Sequence, residues 1–137
     1  MQTILHTLIL FFSVLVLQAQ NTIEVSMINF RTDEGTVKIG LYNKEADFLD
    51  VQYKTASSVI SEKKASITFT DIPDGVYAIS CFHDLNGNEE FDMYFGIIPK
   101  EPYACSNGAK GMFGPPEWEV AKFEVVDGEA KEVLIKF

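Results

Sequence analysis

The chain has 137 residues, with 20 acidic side chains against 11 basic ones, and its formal net charge at neutral pH is −9. A chain of this length amounts to one domain and can bury a sufficient hydrophobic core without disulfides or a structural metal. Every charged side chain follows residue 20, so the acidic balance belongs to that domain. It argues against nucleic acid and anionic membrane surfaces as partners, because both attract clustered lysine and arginine. Cations are the small partners that this charge favours.

The N-terminal segment is apolar from residue 8 to 17 and polar from Gln18 onward. A run of this length is too short to span a bilayer but is typical of the apolar region of a secretory signal peptide. Ala19 is the small residue near the boundary, which predicts cleavage just before Gln20 or Asn21. We therefore expect residues 1–20 to be a signal peptide and residues 21–137 to be one exported domain, periplasmic or extracellular. No cysteine near the boundary indicates a lipid anchor, and no stable membrane insertion is expected after cleavage.

The first half of the domain alternates between apolar and polar residues. Alternation over residues 22–30 and 36–43, on either side of a polar turn at 31–35, predicts two strands paired as a hairpin. Residues 44–54 fit either a short helical turn or an irregular crossover. Two further strands are predicted around residues 59–60 and 67–69, joined by the charged turn 62–64.

In the second half, residues 76–83 are the clearest strand, and both of its faces are mostly apolar, which predicts cover on both sides. Residues 84–117 are rich in Gly, Pro and Asn, and only 93–96 among them are expected to pair as a strand. Residues 120–126 and 130–137 flank Asp127-Gly128, which predicts a closing hairpin with a type I′ turn. About seven short strands without a helical period predict an all-β fold, a two-sheet sandwich.

The candidate metal site is the loop 84–92, where oxygen-bearing residues recur at alternate positions. Calcium takes six to eight oxygen ligands, and such spacing folds them around one point. The loop departs from an EF-hand at its sixth position, which is Glu89 instead of Gly, and at its twelfth, which is Phe95 instead of Glu. Glu101, Glu89 or water would complete the shell, with weak affinity of the extracellular kind. The candidate ligands are Asp84, Asn86, Asn88, Glu90 through its carbonyl, Asp92 and Glu101.

The same Asp, Asn and Gly residues also suit Asx turns in a surface loop that holds no metal. Both interpretations stay open at the level of the sequence.

Catalytic signatures are sparse. His83 is the only histidine after residue 20, which excludes histidine-rich zinc or iron sites and leaves a serine or cysteine nucleophile to share one imidazole. Neither a Gly-x-Ser-x-Gly elbow nor a phosphate-binding glycine loop is present. No catalytic residue is predicted, and a hydrolase around His83, Asp84 and Glu101 is the remaining catalytic alternative.

Two other residue sets leave alternatives open. The late aromatic residues either line a groove for a sugar or another ligand, or cover the end of the sandwich. The cysteines Cys81 and Cys105 either form a disulfide in an oxidising compartment or stay as buried thiols. The late aromatic residues are Tyr94, Tyr103, Phe113 and Trp118.

An ordered series of short motifs resembles a known family. The motifs are Pro73-x-Gly75-x-Tyr77-Ala78, His83-Asp84-x-Asn86-Gly87-Asn88-x-x-x-Asp92, Gly96-Ile97-x-Pro99-x-Glu101-Pro102-Tyr103, Ser106-Asn107 and Gly114-Pro115-Pro116. Over residues 23–137 the chain is similar to the small exported bacterial proteins classed as domain of unknown function 2141. The resemblance implies a transthyretin-like (prealbumin-like) β-sandwich and supplies no catalytic residues. Family members usually have Gly at the position of Glu89 and an apolar residue at that of Cys105.

The sequence thus predicts an exported, non-enzymatic β-sandwich module that binds calcium through the loop 84–92 and contacts an envelope or extracellular partner. A carbohydrate- or other ligand-binding module is the first alternative, and the hydrolase is the second.

Overall fold

A computed structural model describes residues 20–137, so the predicted signal peptide lies outside the described residues except for Gln20. Within that range the chain forms ten strands and one short helix, α1 (Trp118–Ala121). The strands are β1 (Asn21–Ile28), β2 (Thr36–Tyr42), β3 (Lys54–Val59), β4 (Lys64–Ile72), β5 (Gly75–Asp84), β6 (Met93–Tyr94), β7 (Ile98–Pro99), β8 (Tyr103–Cys105), β9 (Phe123–Val125) and β10 (Ala130–Lys136).

Two sheets build the domain. The first has the order β10-β1-β4, with β1 parallel to β10 and antiparallel to β4. The second is antiparallel, has the order β3-β2-β5-β8, and receives β9 along the first residues of β5. Strands β6 and β7 form a separate small hairpin. The predicted all-β sandwich is confirmed, whereas its transthyretin-like classification stays a prediction.

The main core lies between the two sheets because the inward faces of their central strands β1, β2 and β5 are apolar at every second residue. On β1 the alternate residues Ile23, Val25 and Met27 are buried, and the residues between them are more exposed. Burying one such side chain contributes about 1.5–3 kcal/mol relative to leaving it in water. The other sheet supplies the facing residues Val37, Ile39, Leu41, Tyr77, Ile79 and Cys81.

A second, smaller core covers the outer face of the β2–β5 sheet. Trp118 and Ala121 of α1 pack there, and Phe48 lies against them. Strand β5 is therefore covered on both faces, as the sequence predicted. The buried members of this cluster are Tyr42, Ala78, Cys105, Ala109, Trp118 and Ala121.

The predicted hairpin of the first two strands is wrong. Strand β1 pairs with β4 and β10, whereas β2 pairs with β3 and β5, so the turn at 31–35 carries the chain from one sheet to the other. Phe30 at the start of this crossing is buried in the core, and its backbone N–H donates to the carbonyl of Lys63. Alternation showed which faces are buried, but it does not identify the hydrogen-bonding neighbour.

The predicted closing hairpin is also wrong, although its turn is present. Asp127 and Gly128 both have positive φ, as a type I′ turn requires, and the Glu129 N–H donates to the carbonyl of Val126. The flanking strands separate beyond the turn, because β9 joins β5 and β10 joins β1. Val120 belongs to α1 instead of a strand, since the buried Trp118 and Ala121 hold this turn of helix against the outer face.

The remaining predictions about strands and turns are confirmed only in part. The turn 62–64 is present, with Glu62 and Lys63 at positive φ, but β3 and β4 on either side belong to different sheets. Residues 44–54 contain a 3₁₀ turn at Glu45–Asp47, and the predicted strand at 93–96 is the two-residue β6. Among residues 20–137, no helix is long and apolar enough to cross a membrane.

Candidate functional site

The candidate site begins at Asp84, the last residue of β5, whose side chain is buried. One carboxylate oxygen accepts the backbone N–H of Gly87 at 3.1 Å, and the other accepts that of Glu89 at 3.0 Å. These bonds require the chain to fold back over Asp84, and both Gly87 and Glu89 adopt positive φ. Asp84 therefore organises the loop and carries its charge at the buried end.

Three side chains of the loop converge at their polar ends. The carboxylate of Asp92 accepts hydrogen bonds from the amide nitrogens of Asn86 and Asn88, each at 2.9 Å. The hydrogen bonds from Asn86 and then Asn88 lower the pKa of Asp92, so its carboxyl group is ionised at neutral pH. The two amide oxygens accept the backbone N–H groups of Asn88 and Glu90, at 3.2 and 3.0 Å, so each side chain must turn and give up that bond before its oxygen can face a cation beside Asp92.

Glu101 closes the site from the far side of the β6–β7 hairpin. Glu101 is only 6% exposed, and its Oε2 accepts the backbone N–H of Asp92 at 3.3 Å. The Leu85 N–H also faces the carboxylate, but outside hydrogen-bond geometry, so the buried Oε1 has no partner. Burial raises the pKa of Glu101, and the nearby charges of Asp92 and Asp84 raise it further. An oxygen left without a partner in such a place suits a cation.

The structure thus brings together most of the ligands predicted from the sequence. Of the two glutamates expected to complete the shell, Glu101 lies against the loop, whereas the exposed Glu89 forms a 3.2 Å ion pair with Lys38. The side chain of Glu90 is exposed, and the backbone N–H of Glu90 donates to Asn88 Oδ1 at 3.0 Å. In residues 20–137 no three Asp, Glu, His or Cys side chains form a metal-binding group by themselves. A cation here needs the amide and carbonyl oxygens as well, which fits calcium better than zinc.

His83 does not join this site, because neighbouring residues of a strand point to opposite faces. Its ring is buried, its Nε2 lies 2.5 Å from the carbonyl oxygen of Glu34, and Phe30 packs edge-on against it at 5.3 Å. These contacts fix the imidazole as part of the core. The arrangement of His83, Asp84 and Glu101 that a hydrolase needs is not assembled.

The late aromatic residues do not form a common groove. Trp118 is buried under the outer face, Tyr103 packs against Phe91 at 5.8 Å, and Tyr94 lies on the β6–β7 hairpin. Two surface depressions of about 580 and 510 Å³ lie elsewhere, one between β3 and β4 and one along β10, and none of these aromatic residues lines either. No observation in the described residues therefore favours the carbohydrate-binding alternative.

The two cysteines are not brought together, and both are free and buried. Strand pairing sets Cys81 opposite Ala104 and Cys105 opposite Ser80, so the two thiols point to opposite faces of the sheet. Cys81 belongs to the main core, where its thiol donates to the carbonyl of Ala104 at 3.3 Å. Burial raises the pKa of both thiols, which keeps them protonated and unreactive.

The sequence interpretation gave no role to one feature beside the site, the exposed apolar turn between β6 and β7. Phe95 and Ile97 in this turn are among the most exposed large apolar side chains of the described chain. The signal was present as an apolar run at 93–98, interrupted only by Gly96, inside a segment otherwise rich in polar turn residues.

Fold and site define an all-β sandwich whose organised polar site is an Asp- and Asn-rich loop at one end of the central strand. Residues 25–133 match the family described as "Uncharacterized protein conserved in bacteria (DUF2141)". The chain belongs to this family, which confirms the resemblance seen in the motifs. The comparisons with curated proteins and with solved structures each gave no match.

Proposed function

We propose that this protein is an exported β-sandwich module that binds Ca²⁺ through the loop 84–92 and Glu101. The observation that carries the proposal is Glu101 Oε1, a buried carboxylate oxygen without a hydrogen-bond partner, beside the ionised Asp92. Leaving a buried carboxyl oxygen without a partner costs free energy, and a bound cation removes that cost.

The chemistry of the ligands supports calcium. The predicted shell contains only oxygen donors, which hard cations prefer. The flexible carboxylates and amides of a loop tolerate the irregular coordination of Ca²⁺ better than the strict octahedron of Mg²⁺. Three of the proposed ligands, Asn86, Asn88 and Glu90, are exposed to solvent. We therefore expect weak affinity, of the roughly millimolar kind seen in extracellular modules.

The decisive experiment is a melting curve of the purified exported protein in chelator and in calcium. At ten times its dissociation constant, a ligand that binds only the folded state adds about 1.4 kcal/mol to the free energy of unfolding. For a domain of this size that raises the melting temperature by several degrees. Magnesium at the same concentration controls for ionic strength, and we expect it to have a smaller effect. Equal melting temperatures in chelator and in calcium would mean that the loop is only a structural turn and binds no calcium.

A matched pair of variants assigns the effect to the site. Glu101→Gln keeps the shape of the side chain but removes its charge, so in chelator we expect it to be at least as stable as the wild type. In calcium it should show less than half of the wild-type rise. Glu124→Gln, at an exposed position on β9, removes a charge elsewhere and should keep the full rise. If Glu101→Gln also kept the full rise, any calcium effect would arise outside this site.

A further inference from the structure

The β6–β7 hairpin is an exposed apolar projection that follows directly from the candidate calcium loop. Phe95 is 94% exposed and Ile97 is 79% exposed, and both lie in the turn. The hairpin is closed by its own backbone, since Met93 pairs with Pro99 and the Ile97 N–H donates to the carbonyl of Tyr94 at 3.1 Å. Its exposed apolar side chains are Met93, Tyr94, Phe95, Ile97 and Ile98.

The distribution of these side chains indicates what covers them. A protein partner covers one face of a hairpin, but here the side chains of β6, of Ile98 on β7 and of the turn residues Phe95 and Ile97 are all exposed. Five residues are also far fewer than the about 20–30 residues per side of a standard protein interface. A small projection that is apolar all round suits immersion in a fluid apolar phase instead of docking on a surface.

Tyr94, beside the turn, and Lys100, at the base of the hairpin, are side chains that favour a membrane–water interface. The ammonium group of Lys100 lies 4.8 Å from the centre of the Tyr94 ring. Tyrosine concentrates at the headgroup level, and lysine extends its apolar stem along the boundary while its charge stays in water. Phe95 and Ile97 lie in the turn beyond this pair, at the position of the acyl chains.

We propose that the β6–β7 hairpin inserts its tip into the interfacial region of a lipid membrane. The contact is peripheral and spans nothing. Because the net charge of the chain is −9, the surface it fits is zwitterionic, and added anionic lipid opposes binding.

Calcium control of this insertion rests on the proposed function. Two proposed ligands, Asp92 and Glu101, stand at the two ends of the hairpin, and the Lys100 N–H donates to the carbonyl of Asp92 at 2.8 Å. A cation held by both carboxylates fixes the base of the hairpin. It also neutralises negative charge that would otherwise be driven close to the apolar phase.

The test is flotation of the purified exported protein with phosphatidylcholine vesicles, in millimolar calcium and in chelator. We expect binding in calcium, weaker binding in chelator, and weaker binding again when phosphatidylglycerol is added in chelator. Phe95→Ala should lower the partition coefficient in calcium by about tenfold, since it removes one large apolar side chain from the inserted tip. Phe113→Ala removes the same ring from a fully exposed position outside the hairpin and should leave the partition unchanged.

The outcomes separate this inference from the proposed calcium site, because the Phe95→Ala protein should keep the wild-type rise of melting temperature in calcium. A protein that is stabilised by calcium but stays off the vesicles overturns the insertion alone, and points to a protein partner for the hairpin. Equal flotation in calcium and chelator overturns the calcium control and leaves the insertion standing. Equal losses for Phe95→Ala and Phe113→Ala overturn the assignment to the hairpin.

Discussion

At the residue level, Glu89 adopts a strained backbone conformation so that its N–H can bind Asp84. Its N–H must reach the carboxylate of Asp84, and this fold-back places Glu89 at a φ of 63°. A left-handed backbone costs a residue other than glycine roughly 1–2 kcal/mol. The ion pair with Lys38 offsets only part of this cost, because an exposed pair contributes about 0–1 kcal/mol. A glycine at this position would avoid the strain.

We therefore expect Glu89→Gly to raise the free energy of unfolding by about 0.5–1 kcal/mol, less than the strain it removes because glycine gains entropy in the unfolded chain. Chemical denaturation in chelator measures this change. The control Lys38→Gln breaks the same ion pair without altering φ and should lower stability by less than about 1 kcal/mol. A larger loss for Glu89→Gly than for Lys38→Gln would mean that the strain is negligible. Because Glu89 points away from the candidate ligands, the calcium-dependent rise should persist in Glu89→Gly.

The elements show what a sequence pattern can and cannot predict. Alternation located the central strand β5 and its buried face, and residue chemistry located the turns at 62–63 and 127–128, because both signals are local. The strand partners were missed because pairing is set by the whole sandwich: β1 lies beside β10 from the other end of the chain. Helix α1 has four residues, too few to show a helical period.

The candidate site follows the same division. The loop ligands were predictable because they are close in sequence, and Glu101 was named as one way to complete the shell. Which glutamate faces the loop was not predictable, because the side-chain directions of Glu89 and Glu101 depend on Lys38 and on the β6–β7 hairpin. The separation of Cys81 from Cys105 depends on strand register, since a shift by one residue exchanges the faces of a strand.

Ser106 links the elements on the outer face of the second sheet. Its buried hydroxyl donates to the carbonyl of Ala121 at 2.6 Å and accepts the N–H of Ile79 at 3.0 Å. Ser106→Ala leaves the buried Ile79 N–H without its acceptor and leaves the Ala121 carbonyl only the 3.3 Å hydrogen bond from Asn107, and we expect the free energy of unfolding to fall by about 1–3 kcal/mol. Denaturant titration measures the loss. Ser58→Ala, on the exposed edge strand β3, should change stability by less than about 0.5 kcal/mol. Similar values for the two variants would show that the hydroxyl of Ser106 does not hold α1 to the sheet.

At the scale of the whole molecule, the first strand of the described residues begins at Asn21, one of the two predicted first residues after cleavage. Asn21, the first residue of β1, is buried, and its amide donates to the carbonyl of Ile72 at 2.9 Å and to Asp74 at 2.8 Å. Its side-chain oxygen accepts the Glu129 N–H at 2.9 Å, so one residue joins β1 to the ends of both neighbouring strands. Cleavage beyond Asn21 would remove these bonds, whereas cleavage before Gln20 or Asn21 preserves them.

Export and processing are therefore expected to leave Gln20 or Asn21 as the first residue. Intact-mass measurement of protein recovered from the periplasm or the medium checks this, and recovered protein that still carries Met1 would contradict it. Ala19→Leu, which removes the small residue at the boundary, should slow processing and leave precursor with the membrane fraction. Gln18→Leu changes a neighbouring polar residue but keeps Ala19 and should be processed at the same site. Equal processing of both variants would place the cleavage elsewhere, and a first residue beyond Asn21 would mean that β1 forms without its buried amide.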